Sequence, residues 1–207
     1  GAEHIYSKIL IRPGQHVLSN MYFTTSRAHA EAVGAVWDDV SVAEAHDPKN
    51  MRPFKGNIDL AKLENKIKKL GPKQVAFIRI DASLNMAGGQ PFSMKNLRHV
   101  KKTAGRFQIP LVIDATRAIE NSYFIKVREQ GYQTRSVRSI LYEICHDADW
   151  VVVSAKKDAI ANIGGFLCVR NPKDFEKVKQ LVVLYEGFIH YGGLAGRDME
   201  AIATGLK

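Results

Sequence analysis

Two short apolar runs, about 40 residues apart, each deliver a polar cluster at their carboxyl end. The first is Leu111-Val112-Ile113, which leads into Asp114-Ala115-Thr116-Arg117. The second is Val151-Val152-Val153, which leads into Ser154-Ala155-Lys156-Lys157-Asp158. β-Branched runs of this kind read as strands buried on both faces, the pattern of a parallel sheet covered by helices. The spacing leaves room for a helix and the return to the next strand of a βαβ array. In such sheets ligands bind beyond the carboxyl ends of the strands. That rule makes candidates of Asp114, Arg117, Ser154, Lys156 and Lys157. Taken singly each has a plainer reading: Asp114 as a helix N-cap, the lysines as a solvated loop. The two strand ends in this order favour a site.

The chemistry of the pair is specific. A lysine held partly out of water loses its proton and forms a Schiff base with an aldehyde cofactor. An aspartate beside a pyridine nitrogen keeps that nitrogen protonated and makes the ring an electron sink. Pyridoxal 5'-phosphate needs both.

The rest of the chain reads as an alternating α/β array. Helices are expected over residues 2–10, 26–33, 59–70, 93–107, 137–145 and 174–184, and after Gly196. Asp59 and Ser93 cap two of them. Strands are expected near 16–19, 35–40, 74–80, 111–113, 150–153 and 166–169, with a Pro-, Gly- and Asn-rich loop over 46–57. The alternation predicts an α/β fold with a mostly parallel, doubly wound sheet.

The formal net charge is +9. The basic residues fall in helical stretches such as Lys62, Lys66, Lys68, Lys69 and Lys95, Arg98, Lys101, Lys102, which reads as solvated helix faces. No nucleic-acid module accompanies them, so no nucleic-acid partner is expected. Cys145 and Cys168 form no metal motif, and the apolar surroundings of Cys168 predict a buried free thiol. No apolar run is long enough for a transmembrane helix. No membrane partner and a cytoplasmic location are the expectations.

Several longer blocks carry a family likeness: Asn20-Met21-Tyr22-Phe23-Thr24-Thr25, Phe54-Lys55-Gly56-Asn57-Ile58-Asp59-Leu60, Asn85-Met86-Ala87-Gly88-Gly89-Gln90-Pro91, Glu120-Asn121-Ser122-Tyr123-Phe124-Ile125 and Tyr191-Gly192-Gly193-Leu194-Ala195-Gly196-Arg197-Asp198-Met199-Glu200, with the two strand ends between them. In order and spacing they resemble the pyridoxal-phosphate-dependent β-eliminating lyases, the tyrosine phenol-lyase and tryptophanase family. The resemblance covers nearly the whole chain. It implies the large domain of the aspartate-aminotransferase-like (fold type I) pyridoxal-phosphate enzymes. By resemblance Lys157 would form the Schiff base, and Lys156 would lie near the cofactor and a bound cation. Asp114 would pair with the pyridinium nitrogen. Arg117 and Asn85 would bond the cofactor's phenolic oxygen, Phe23 would stack on its ring, and Ser154 would bond its phosphate. The backbone carbonyl of Asn162 would help to hold a potassium ion.

The resemblance also implies a partition into residues 1–195, the cofactor-binding domain, and 196–207, the start of a connection to a small domain. A family member has a phosphate-loop segment before residue 1 and a substrate-carboxylate site beyond residue 207. The helix start Gly1-Ala2-Glu3 still offers backbone N–H groups to a phosphate. Expected partners are an amino-acid substrate and either a homo-oligomer (dimer or tetramer) or a complementary chain. Three functions stay open: a carbon–carbon lyase or its cofactor-binding part, another chemistry on the same fold, and a non-catalytic cofactor- or subunit-binding domain. Within the first, Thr24 favours L-tyrosine over tryptophan. In the family, phenol-releasing members have threonine after the stacking phenylalanine and indole-releasing members have aspartate. A hydroxyl can relay a proton to a phenol oxygen without adding charge.

Overall fold

A computed structural model describes all residues from Gly1 to Lys207. In chain order the elements are α1 Ala2–Leu10, β1 His16–Ser19, α2 Thr24–Ala32, β2 Val36–Asp39, α3 Leu60–Leu70, β3 Val75–Asp81, α4 Met94–Phe107, β4 Leu111–Asp114, α5 Ala118–Arg128, α6 Val137–His146, β5 Trp150–Ser154, β6 Gly165–Val169, α7 Pro172–Tyr185 and α8 Gly196–Gly205. The sheet runs β2-β1-β3-β4-β5-β6. All neighbours pair parallel except β6, which runs antiparallel to β5 at the edge. The mostly parallel, doubly wound α/β expectation holds.

Strand residues alternate between two cores. Ile78, Ile80, Leu111, Ile113, Val151 and Val153 face Leu63, Ile67, Leu97, Val100, Ile125, Ile140 and Ile144 of α3 to α6. Val17, Phe77, Val112, Trp150 and Val152 face Ile5 and Tyr6 of α1, Ala30 of α2 and Val178 of α7. Helices therefore cover both faces, as the unbroken apolar strands require. The two caps read from sequence are present: Asp59 accepts from the Lys62 amide at 3.0 Å and Ser93 from the Asn96 amide at 3.1 Å. Such caps contribute about 1 kcal/mol each.

Three features depart from the sequence reading. Helix α5 had no counterpart there, although Glu120 in its first turn and Lys126 and Arg128 in its last suit the helix dipole. Cys168 is a free thiol as expected, but exposed rather than buried. It lies on edge strand β6, none of whose residues is fully buried. Of the helix-face cations, several make ion pairs, including Lys66–Asp38 at 2.6 Å and Arg106–Glu64 at 2.8 Å. No helix is long and apolar enough to cross a membrane.

Candidate active site

The chain leaves β1, crosses outward to β2 and returns past β1 to β3, so the strand order reverses between β1 and β3. Ligands of open α/β sheets bind at such a reversal. Asn20, fully buried, ties its two sides together. Its amide nitrogen donates to the Gly56 carbonyl at 2.8 Å, and its oxygen accepts from the Asp81 amide at 2.9 Å. The next residue, Met21, has a left-handed backbone with φ of 68°. Its carbonyl accepts from the Trp37 indole at 2.8 Å, which holds this strained turn in place. The turn brings half-buried Phe23 to the N-cap of α2, with exposed Thr24 as the first helical residue.

The loop after β3 carries Asn85. A one-turn 3₁₀ helix over Asn85–Ala87 ends in Gly88 and Gly89, at φ of 81° and 76°. Both glycines occupy conformations that side chains disfavour. Gly56 lies against this loop so closely that a Cβ would meet the Gln90 carbonyl oxygen at 2.4 Å. Asn85 is exposed on the loop's outer surface.

The β4 and β5 ends are joined by hydrogen bonds. Thr116 accepts the Ser154 amide on its hydroxyl at 2.9 Å and donates its own amide to Asp114 at 3.0 Å. The Arg117 amide donates to the Ala82 carbonyl at 3.0 Å, so β3 and β4 end in register. Arg117 and Ser154 are half-buried. Lys156 and Lys157 are exposed, not partly withdrawn from water as expected. Helix α8 packs on this loop through Ile202 against buried Ala155, Ala159 and Ala161, yet leaves both lysine side chains uncovered. Asn162 is also exposed, on the loop leading to β6.

The predicted residues Phe23, Thr24, Asn85, Asp114, Arg117, Ser154, Lys156 and Lys157 thus all lie at or just past the carboxyl ends of β1, β3, β4 and β5. Glu3, at the start of α1, turns its carboxylate toward α2, accepting from the Thr25 hydroxyl at 2.6 Å and from Ser26.

Asp158, beside the lysine pair, accepts the Ile119 amide at 2.7 Å at the start of α5. Burial pushes its pKa up to about 6. A raised carboxyl pKa means the folded state holds the proton more tightly than the unfolded chain. Its stabilising contribution is complete below pH 3.8 and is lost as pH rises through about 6. Asp158→Asn is therefore expected to gain stability over the parent near neutral pH and to lose that advantage as pH falls. The half-exposed position reduces the effect to on the order of 1 kcal/mol. Melting temperatures of both proteins at mildly acidic and neutral pH measure it. A constant difference between the two would count against the assignment.

Sequence reading missed the group beneath the site. Arg79 points from β3 to the α1 face and is 0% exposed. Its Nε donates to Asp81 at 2.6 Å, one Nη to Asp114 at 2.5 Å and the other to the Tyr6 hydroxyl. Burial opposes its charge, but Asp81, Tyr6 and Asp114 together outweigh burial and hold its pKa well above the ordinary value. Asp81 shares that one cation with Asp114, and burial pushes it up to about 6. The signal was a lone arginine inside Val75–Asp81, a strand otherwise apolar up to its last residue. A charge there needs a buried partner.

The sequence profile of the Beta-eliminating lyase family matches residues 1–199. The chain belongs to the beta-eliminating lyase family. It is 52% identical to a tyrosine phenol-lyase of Symbiobacterium thermophilum over 206 residues, which are 100% of this chain and 45% of that protein. A tyrosine phenol-lyase of Intrasporangium calvum is 51% identical over 207 residues, 44% of its length. The chain thus spans about half the length of the curated relatives it matches. Among solved structures, a methionine gamma lyase from Micromonospora echinospora superposes with a TM-score of 0.60 at 15% identity, over 99% of this chain and 44% of that one. At that identity the likeness shows the fold alone. The beta-eliminating lyase chain shares its mostly parallel α/β fold with that enzyme.

Proposed function

We propose that this chain is the cofactor-binding portion of a pyridoxal-phosphate-dependent carbon–carbon lyase that converts L-tyrosine to phenol, pyruvate and ammonia. One observation carries the reading. Asp114 stands at the end of β4 with 13% of its side chain exposed and its other contacts buried. Behind it two aspartates share one guanidinium. A protonated ring nitrogen supplies the second cation that this cluster lacks, so the donor set fits the cofactor. When bound, pyridoxal 5'-phosphate supplies an electron sink for the charge that develops at the substrate Cα.

The chain's own residues divide the remaining work. Lys157 Nζ holds the cofactor aldehyde carbon and later takes the proton from Cα. Lys156 adds positive charge beside it. Arg117 and Asn85 donate to the cofactor's phenolic oxygen, Phe23 packs on the ring face, and Ser154 donates to the phosphate. The Thr24 hydroxyl relays a proton toward the leaving phenol. A potassium ion would take one oxygen from the Asn162 carbonyl, and a hard cation needs several more. A homo-oligomer or a second chain is the partner that this reading expects.

The test is a product assay on the full-length protein. Phenol release from tyrosine faster than indole release from tryptophan supports the reading. The reverse order makes tryptophan the substrate. No product from either, with cofactor bound, supports the non-catalytic alternative.

A further inference from the structure

The Arg79 guanidinium is locked on every side. Its three donor nitrogens engage three different partners: Asp81, Tyr6 and Asp114. The Trp37 ring lies 5.8 Å from its central carbon, and Glu3 approaches to 3.8 Å. Tyr6 is itself held by Phe77, edge to face at 5.6 Å. An arginine fork held this way has one orientation, unlike a lysine ammonium. Its effect falls on Asp114. One carboxylate oxygen is fixed by Arg79 and the other by the Thr116 amide. A carboxylate has about four lone-pair positions, so acceptor capacity remains on the exposed edge.

We propose that Arg79 is a positioning residue for the cofactor: it aims the open edge of Asp114 at the ring nitrogen, while Asp81 and Tyr6 keep the guanidinium from turning. The inference rests on the pyridoxal-phosphate reading of Asp114. It goes further by assigning the orientation of that carboxylate to a residue that never touches the cofactor. A guanidinium that merely neutralised buried aspartates would support the fold and any ligand of the domain equally. A positioning residue acts on the ring nitrogen alone.

The experiment separates the two. Full-length parent, Arg79→Met, Arg79→Lys and Tyr6→Phe are titrated with pyridoxal 5'-phosphate. They are also titrated with 1-deazapyridoxal 5'-phosphate, in which a C–H replaces the ring nitrogen. The ratio of the two half-saturation concentrations is read for each protein, with the melting temperature as a control. The parent should favour the natural cofactor. In Arg79→Met that preference should fall by about tenfold or more, with affinity for the deaza analogue nearly unchanged. Arg79→Lys keeps the charge but not the fork, so it should lose part of the preference. Should Arg79→Met fail to fold, Arg79→Lys and Tyr6→Phe carry the test, each with a smaller drop in the same direction. Equal weakening toward both ligands, or an unchanged ratio in the variants that fold, overturns the proposal. Absence of saturable binding in the parent overturns the cofactor reading itself.

Discussion

Alanine in place of Lys157 is expected to leave a folded full-length protein that no longer holds its cofactor covalently and has lost its lyase activity. The Lys157 side chain is exposed, and the residue bonds through its backbone, where its carbonyl accepts from the Ile160 amide at 2.9 Å. Truncation therefore removes no buried contact, and stability should change by no more than about 0.5 kcal/mol. Loss of the positioned base alone lowers the rate by about 10²- to 10⁴-fold. Loss of the covalent anchor adds to that. Lys156→Ala should keep the covalent link. Borohydride reduction and peptide mapping decide between the neighbours: cofactor found on Lys156 would reverse the assignment.

Asp114 substitutions should affect both stability and chemistry, and the two effects can be separated. In Asp114→Ala the buried Arg79 loses one of its two close carboxylates and keeps Asp81 at 2.6 Å. Removing one partner of a buried ion pair costs about 3–5 kcal/mol. The retained Asp81 places the expected loss toward the low end, measurable by denaturant unfolding. Asp114→Asn preserves shape and an acceptor oxygen for Arg79, so it is the better probe of function. There the cofactor should stay bound. Stabilisation of charge at Cα should fall by about 2–4 kcal/mol, read as slower exchange of the substrate α-proton with deuterated solvent. A folded Asp114→Asn protein that exchanges this proton at the parent rate excludes the role.

Most of the fold was legible before the structure because its signals are local. The caps at Asp59 and Ser93 and the apolar runs over 111–113 and 151–153 each act within a few residues. Helix α5 was harder, since its apolar residues form no clear stripe and its packing partner is α6, further along the chain. Cys168 misled because an apolar pentapeptide reads alike in a central strand and in an edge strand. The lysines misled because exposure depends on where the turn after Ala155 points and on what packs over it.

By itself the sequence determined the α/β class, the positions of the strand ends, the family and the residue types gathered at one edge of the sheet. These follow from periodicity, capping and motif order along the chain. Only the tertiary structure decided the strand order, the antiparallel edge strand and the Arg79 cluster. Arg79 meets Asp114 across 35 residues and Tyr6 across 73. Parallel pairing of β3 and β4 and packing of α1 against the sheet bring them together. No local pattern encodes a contact whose partners are chosen by strand order and helix packing, because the energy that selects it is gained only when the whole sheet is assembled.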